Sequence, residues 1–408
     1  MEITLMSRTP SLRPLYNYPG WVIQEIKLNT EVVMVRLRRD LRLKIYCPHC
    51  LRLSGENRRV VQSAKDLPLG PVNLVQIIYE AVQGYCNRCH HYFTLLPPGI
   101  EPNAKATRRL MHYVCKLCRF MPTDKVPIFL PISISTSRRW DKKILTEQLP
   151  SPDLDNLRVI LIDEKSIGPH HNYVTVVING DNGDVLHLAE GKKKESLEAF
   201  FLKLTIEQIA SIKAVGMDRA GAYKAVVKEY APEAAIVFDK FHLIANYNEA
   251  IDKVRRAEWN KADKENKKFI KGQRYNLFKN PENLKPEQNK SLKELCEFNE
   301  PLFQSYLLKD ALKGLWTYVY TKSASKFLDK WISWATETEL VPLISFANGL
   351  DRDRKEILSF IRHRITSAKL EAFNATISRI VKRACGYKDL EYLFLKIRQE
   401  RCPPVLQT

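Results

Sequence analysis

The chain lacks any apolar run near the roughly 18 residues that a membrane span requires. Its opening stretch, MEITLMSRTPSLRP, also lacks the apolar segment of a signal peptide. Both absences lead to the expectation of a cytoplasmic protein with no membrane partner. The largely helical stretch from 244 to 360 carries no internal repeat. Acidic residues are in short supply as well: 46 Asp and Glu face 65 Lys and Arg, for a net charge of +19. The deficit is uneven. Residues 1–150 hold 23 Lys and Arg against 11 Asp and Glu, residues 151–243 hold 11 against 14, and residues 244–408 hold 31 against 21. An acid-leaning middle therefore sits between two basic flanks. Basic surfaces attract polyphosphate backbones and release their counterions, so DNA is the expected partner. A length of 408 residues with 45% apolar content suits two to three globular domains.

Of nine cysteines, six fall in three C-x-x-C pairs. In a reducing compartment such pairs point to metal or core roles before disulfides. Cys47 and Cys50 in CPHC, and Cys86 and Cys89 in CNRC, flank a β-rich stretch that follows the hairpin-like runs WVIQEIKL and EVVMVRLR. Two such pairs on a small β unit make a zinc ribbon, in which four thiolates surround structural Zn²⁺ tetrahedrally. His49, His90 and His91 are near enough to serve as alternative ligands. The third pair, Cys115 and Cys118, has no fourth pair to complete a site. It reads as core in a helix over TRRLMHYVCKLCRFM. A short helix over 124–130, a turn at 131–133 and a further helix over 135–145, capped by Ser135 or Thr136, then form a helix-turn-helix candidate. Arg138, Arg139, Lys142 and Lys143 on it would meet DNA phosphates; the alternative is a solvated basic face. These features divide 1–100, a hairpin and zinc-ribbon domain, from 101–150, the helix-turn-helix domain. LPSPDLDN marks the next boundary.

RVILIDEKS, residues 158–166, opens a β-β-β-α-β-α-β order in which one helix is expected over KESLEAFFLKLTIEQIA. This is the order of an α/β, RNase H-like core. In such a core Asp163, on the first strand, and Asp218, at the end of the fourth, lie side by side. Adjacent carboxylates repel unless a cation sits between them, and Mg²⁺ or Mn²⁺ takes oxygen ligands of this kind. Two ions can activate a water or a 3′-hydroxyl and stabilise the leaving oxygen. Asp is also a common turn residue, which is the alternative reading. Glu164 points to the opposite face of the strand and reads as a salt-bridge or cap residue. Further on, LEAFNATISRIVKRACGYKDLEYLFLKI carries an apolar helical stripe at Leu370, Phe373, Ile377 and Ile380. Glu371 and Asn374 stand together on a neighbouring face. Arg379, Lys382 and Arg383 add positive charge for DNA, and Gly386 stops the helix. Glu371 either returns to the two aspartates or is a solvated surface residue. Trp259 and Trp316 are core residues or platforms for exposed bases.

Taken together, these stretches resemble the ISL-three family of insertion-sequence DDE transposases over nearly the whole chain. FDKFH, KNPENL and the Gly-Tyr segment after the Glu371 helix are the most specific parts. The resemblance implies that Asp163, Asp218 and Glu371 form the metal-binding triad. It also implies that a mostly helical insertion, 246–362, interrupts a core running over 151–245 and 363–408. Asp239 and His242 match a D-x-x-H element and, with Asn374, take supporting roles. One departure is Ala372, where the family usually has Gly. The implied activity is that of a DNA transposase, dimeric or larger and nucleoid-associated in a prokaryote. Such an enzyme binds terminal inverted repeats, cuts the element's ends with two Mg²⁺ ions and joins them to target DNA. The rival readings are a domesticated zinc-ribbon DNA-binding regulator and an RNase H-like nuclease without strand transfer.

Overall fold

The computed structural model describes residues 3–6, 16–28, 31–70, 72–169 and 172–402. The chain divides into two compact units, residues 1–150 with 380–408, and residues 151–379. The segment 363–408, expected as one piece of the catalytic core, is thus shared between them at Arg379 and Ile380.

The first unit is built on β1 (Ile3–Met6), β2 (Trp21–Leu28), β3 (Val32–Arg39), β4 (Gly55–Asp66), β5 (Leu74–Cys86), β6 (His91–Leu95) and the short β7 (Ile100–Glu101) and β8 (Ala106–Thr107). Their order is β1-β2-β3-β5-β4-β8-β7, with β6 paired to β5. Alternate residues of β3 and β5 (Val33, Val35 and Leu37; Val75, Ile77 and Tyr79) face inward and are buried, as a period of two demands. Helix α1 (Arg108–Phe120) starts where the Thr107 hydroxyl accepts the Leu110 N–H. It buries Cys115 and Cys118 beside Leu110, Met111 and Val114. Burial pushes the Cys115 thiol up and the Cys118 thiol up to about 12, which suits inert core cysteines.

The short helix expected over 124–130 is only a single 3-10 turn, Val126–Ile128. Helix α2 (Ile134–Gln148) is capped by Ser133, not by Ser135 or Thr136. The Ser133 Oγ accepts the Thr136 N–H, and the Ser137 hydroxyl donates to the Ser133 carbonyl, which pulls 133–137 into the first turn. The C-terminal helix Leu390–Arg401 joins this layer. Lys396, almost fully buried, lies 3.1 Å from the buried Asp141 and donates to the Cys118 carbonyl at 2.9 Å. The Tyr392 hydroxyl donates to the same Asp141 at 2.5 Å.

The second unit holds β9 (Val159–Ser166), β10 (Tyr173–Asn179), β11 (Val185–Glu190), β12 (Ala214–Met217) and β13 (Ala235–Phe238). The order is β11-β10-β9-β12-β13; the first three strands are antiparallel neighbours, and β12 runs parallel to both β9 and β13. The single helix expected over 194–210 is two, α3 (Lys194–Phe201) and α4 (Ile206–Ser211). Thr205 and Gln208 form a reciprocal capping box, which starts a new helix inside an otherwise continuous apolar periodicity. Helices α5 (Gly221–Tyr230) and α6 (Lys240–Lys261) follow β12 and β13.

The rest of the unit is helical and packs around Tyr247, Trp331 and Phe346, whose ring centroids lie 5.0 to 5.9 Å apart. Trp316 packs edge-on against Phe360, whereas Trp259 is partly exposed beneath Lys267. Among the described residues, no helix is long and apolar enough to cross a membrane. The mixed α/β class expected from the sequence is therefore present.

Candidate active site

The parallel register sets up the site. Ile162 of β9 pairs with Met217 of β12, which pairs in turn with Phe238 of β13. The next residue on each is an aspartate, so Asp163, still inside β9, stands level with Asp218 and Asp239, which directly follow β12 and β13. This is the carboxyl end of the parallel strands β12 and β13, the kind of position where α/β proteins place their ligands. Asp239 also caps α6, its Oδ1 accepting the Phe241 N–H at 3.0 Å. One turn into that helix, the His242 Nε2 lies 2.9 Å from the Asp218 Oδ1 and 3.8 Å from the Asp239 Oδ2.

The electrostatics follow from crowding. Burial, then the charge on Asp218, raises the Asp163 carboxyl to about 6. The hydrogen bond to Asp218 raises His242 to about 9, against the effect of its own burial. Burial also raises Asp239. Three carboxylates in a row call for positive charge, and His242 supplies it here. Asp218, Asp239 and His242 offer one ligand atom each, all within 4.8 Å of one another.

The helix Ala368–Arg383 brings the remaining predicted residues. Leu370, Phe373, Ile377 and Ile380 are buried, and Glu371 and Asn374 stand one turn apart beside that stripe. The Asn374 Nδ2 donates to the Asp163 Oδ2 at 2.5 Å, while the Glu164 N–H serves the other Asp163 oxygen at 2.7 Å. The Asn374 Oδ1 is buried without a hydrogen-bond partner. Glu371 lines the same cleft as Asp163 and Asp218. It does not form a mutual 4.8 Å group with them; among the described residues only the four cysteines and Asp218 with Asp239 and His242 meet that distance. The Ser367 hydroxyl instead donates to Glu371 at 2.8 Å, and Ser367 lines the cleft together with Asp239. Glu164 pairs with Lys192 at 3.4 Å.

Sequence reasoning missed two groups. Ser367 stands four residues before Glu371 at the start of its helix, a position whose only sequence signal is that of an ordinary cap. Arg219 follows Asp218 directly, bonds Asp353 at 2.5 Å and the Gly349 carbonyl at 2.9 Å, and so fastens the Asp218 loop to the helix Val341–Arg352 and its cap. Lys224 joins Asp353 at 3.0 Å and Glu356 at 2.8 Å.

In the first unit, Cys47, Cys50, Cys86 and Cys89 gather with their sulfurs within 4.8 Å, Cys50 and Cys86 being 3.6 Å apart. A tetrahedral thiolate site with metal–sulfur bonds near 2.3 Å has edges of about 3.8 Å, so the cluster fits a bound ion. Of the basic residues on α2, Arg138 and Arg139 are exposed. Lys142 pairs with Asp389 at 2.9 Å and Glu391 at 2.6 Å, and Lys143 with Glu101 at 2.7 Å. Arg379 and Lys382 are exposed, and Arg383 lies 3.3 Å from Glu400.

A family model described as a transposase, that of the ISL-three DDE group, matches residues 160–397. Over 362 residues the chain is 31% identical to the transposase for insertion sequence element IS1001 of Bordetella parapertussis, covering 86% of this chain and 87% of that protein. It is 30% identical over 303 residues to the transposase for insertion sequence element IS1557 of Mycobacterium tuberculosis, covering 69% and 66%. With more than half of the chain inside the family model, and a relative matched over most of both lengths, the chain belongs to the ISL-three family of insertion-sequence DDE transposases.

Proposed function

We propose that this transposase cuts DNA at the ends of its element and joins the freed 3′-hydroxyls to target DNA, with Asp163, Asp218 and Glu371 as the metal-binding triad. The observation that carries this reading is the row formed by Asp163 inside β9 and by Asp218 and Asp239 directly after β12 and β13, with Glu371 lining the same cleft. The strand order, three antiparallel strands followed by two parallel ones, supports an RNase H-like core. When bound, two Mg²⁺ ions, or Mn²⁺ in their place, supply Lewis-acid activation of the attacking oxygen and stabilisation of the leaving one.

The chain's own residues prepare that site. Asp163 and Asp218 provide oxygen ligands at fixed depth because their strands are in register. Asn374 orients Asp163, and Ser367 holds Glu371 at the wall of the cleft until it is needed. Asp239 and His242 support Asp218 by hydrogen bonding and charge. In the joining step the 3′-oxygen forms a bond to a target phosphorus as that phosphorus loses its own 3′-oxygen. The bond exchange needs no covalent protein intermediate.

The Cys47, Cys50, Cys86 and Cys89 set would hold structural Zn²⁺ in a ribbon within 1–100, and α1 with α2 would act as the helix-turn-helix of 101–150. Arg138 and Arg139 are exposed for inverted-repeat phosphates, with Arg379 and Lys382 as further contacts. Two ends must meet, so a dimer or larger assembly on DNA in the bacterial cytoplasm is part of the proposal.

The test uses the purified full-length protein and DNA carrying the element's ends. Asp163→Asn, Asp218→Asn and Glu371→Gln should each abolish Mg²⁺-dependent cleavage and also the joining of pre-cut ends. Retained cleavage in all three would overturn the site assignment. Wild-type cleavage without any joining would favour the nuclease reading.

A further inference from the structure

The helix Arg354–His363 and the residue preceding its cap sort their charges by side. Asp351 is held by Arg354 at 2.7 Å. Asp353 is held by Arg219 and Lys224, and Glu356 by Lys224 and, at 3.4 Å, Lys228. The acids are therefore neutralised from within the unit. Lys355 and Arg362, two helical turns apart, are exposed and have no carboxylate partner among the described residues. Arg352 is three-quarters exposed, and its nearest acid, Asp353 at 3.7 Å, is already engaged twice. These cations line one side of an open groove of about 1100 Å³, and the loop 231–236 forms the other side. Glu233 on that loop is exposed, so the groove is cationic along one wall rather than uniformly. Ser359 lies between Lys355 and Arg362 and also lines it.

We propose that this groove binds the phosphate backbone of a DNA segment, through Arg352, Lys355 and Arg362, outside the carboxylate cleft. The inference rests on the reading of DNA as substrate. Unpaired cations at helical spacing beside a groove match a polyanion. On the helix side each acid, Asp351, Asp353 and Glu356, is already engaged by a cation of its own, which leaves Lys355 and Arg362 free for a polyanion. The location is also apt. The helix ends at His363, and Ile365, Thr366 and Ser367, which follow closely, line the cleft. A backbone held along the helix is thus held by the same continuous stretch of chain that reaches the reacting strand. Phosphate contacts of this kind set register and orientation without reading sequence.

The test measures binding of the full-length protein to two labelled duplexes of equal length, one carrying the element's end and one scrambled, by fluorescence anisotropy from 50 to 200 mM salt. Each phosphate contact contributes about 0.9 to the slope of log affinity against log salt. The Lys355→Glu/Arg362→Glu double variant should bind both duplexes more weakly. Its slope should be shallower by about 2, so that the loss of affinity across this salt range shrinks by about tenfold. Lys290→Glu/Lys293→Glu, which makes the same change in net charge at exposed positions elsewhere in the insertion, should leave the slope unchanged. All four side chains are exposed, so thermal melts should match the wild type. An unchanged slope in the groove variant, or an equal loss in the control, overturns the groove while leaving the transposase reading intact. A wild-type protein with no salt-dependent DNA binding overturns both.

Discussion

Asn374 shows how much one side chain can decide. Its amide donates to Asp163, and its carbonyl oxygen is buried with no partner, an arrangement that costs stability unless something arrives to use it. Outer hydrogen-bond partners of metal ligands typically contribute 10–100-fold to metal affinity or activity. Asn374→Ala should therefore weaken Mn²⁺ binding by about that factor, read by calorimetry, and lower cleavage in parallel. Asn374→Asp should be worse, because it replaces a donor with a like charge beside Asp163. At this scale the sequence was partly legible. Asn374 could be placed beside Glu371 because helical spacing is local. Ser367 could not be distinguished from a cap, because Asp239, with which it lines the cleft, lies 128 positions away in the chain.

At the scale of elements, the site depends on close approach. Gly216 in β12 has no side chain, and a Cβ there would stand 2.6 Å from Leu161 and 2.8 Å from Ile365. Gly216→Ala should cost about 1–3 kcal/mol in urea unfolding, as overpacking does. It should also lower activity by displacing the segment that leads into the Glu371 helix. Thr205→Ala, which breaks the capping box between α3 and α4, should cost about 1 kcal/mol and leave DNA cleavage unchanged. Strand order was readable because alternation and turn chemistry are local signals. The break between α3 and α4 was readable too, as T-x-x-Q, but an uninterrupted apolar periodicity spoke against it. The contact of Ile365 with Gly216 had no local trace.

At the scale of the whole molecule, the first unit draws on both ends of the chain. The Lys396 and Asp141 pair is nearly inaccessible to water, and removing one partner of such a pair costs about 3–5 kcal/mol. Asp141→Ala should lower the unfolding midpoint of the first unit accordingly. Lys396→Met with Asp141→Leu should recover much of that loss. A chelator that strips the cysteine cluster should lower the same transition, with released zinc measured alongside, since ligand binding to the folded state adds directly to its stability. The cysteine cluster was legible beforehand from its two C-x-x-C pairs, but the buried ion pair was not. Lys396 and Asp141 look like ordinary surface charges in sequence, and only their meeting across 255 positions makes them core.

The first unit therefore cannot be completed until the Leu390–Arg401 helix has been made. Residues 1–150 leave the ribosome first, yet the helix that closes over Asp141 is among the last segments made. At about 5–20 residues per second, the interval is roughly 12–50 s. Residues 151–379 are completed only near the end of that interval, and throughout it the cysteine-bearing unit is still short of a structural member. A chain released before Leu390 would keep Asp163, Asp218 and Glu371 but leave Asp141 without Tyr392 and Lys396. Premature termination should thus yield a protease-sensitive N-terminal unit beside a resistant catalytic one.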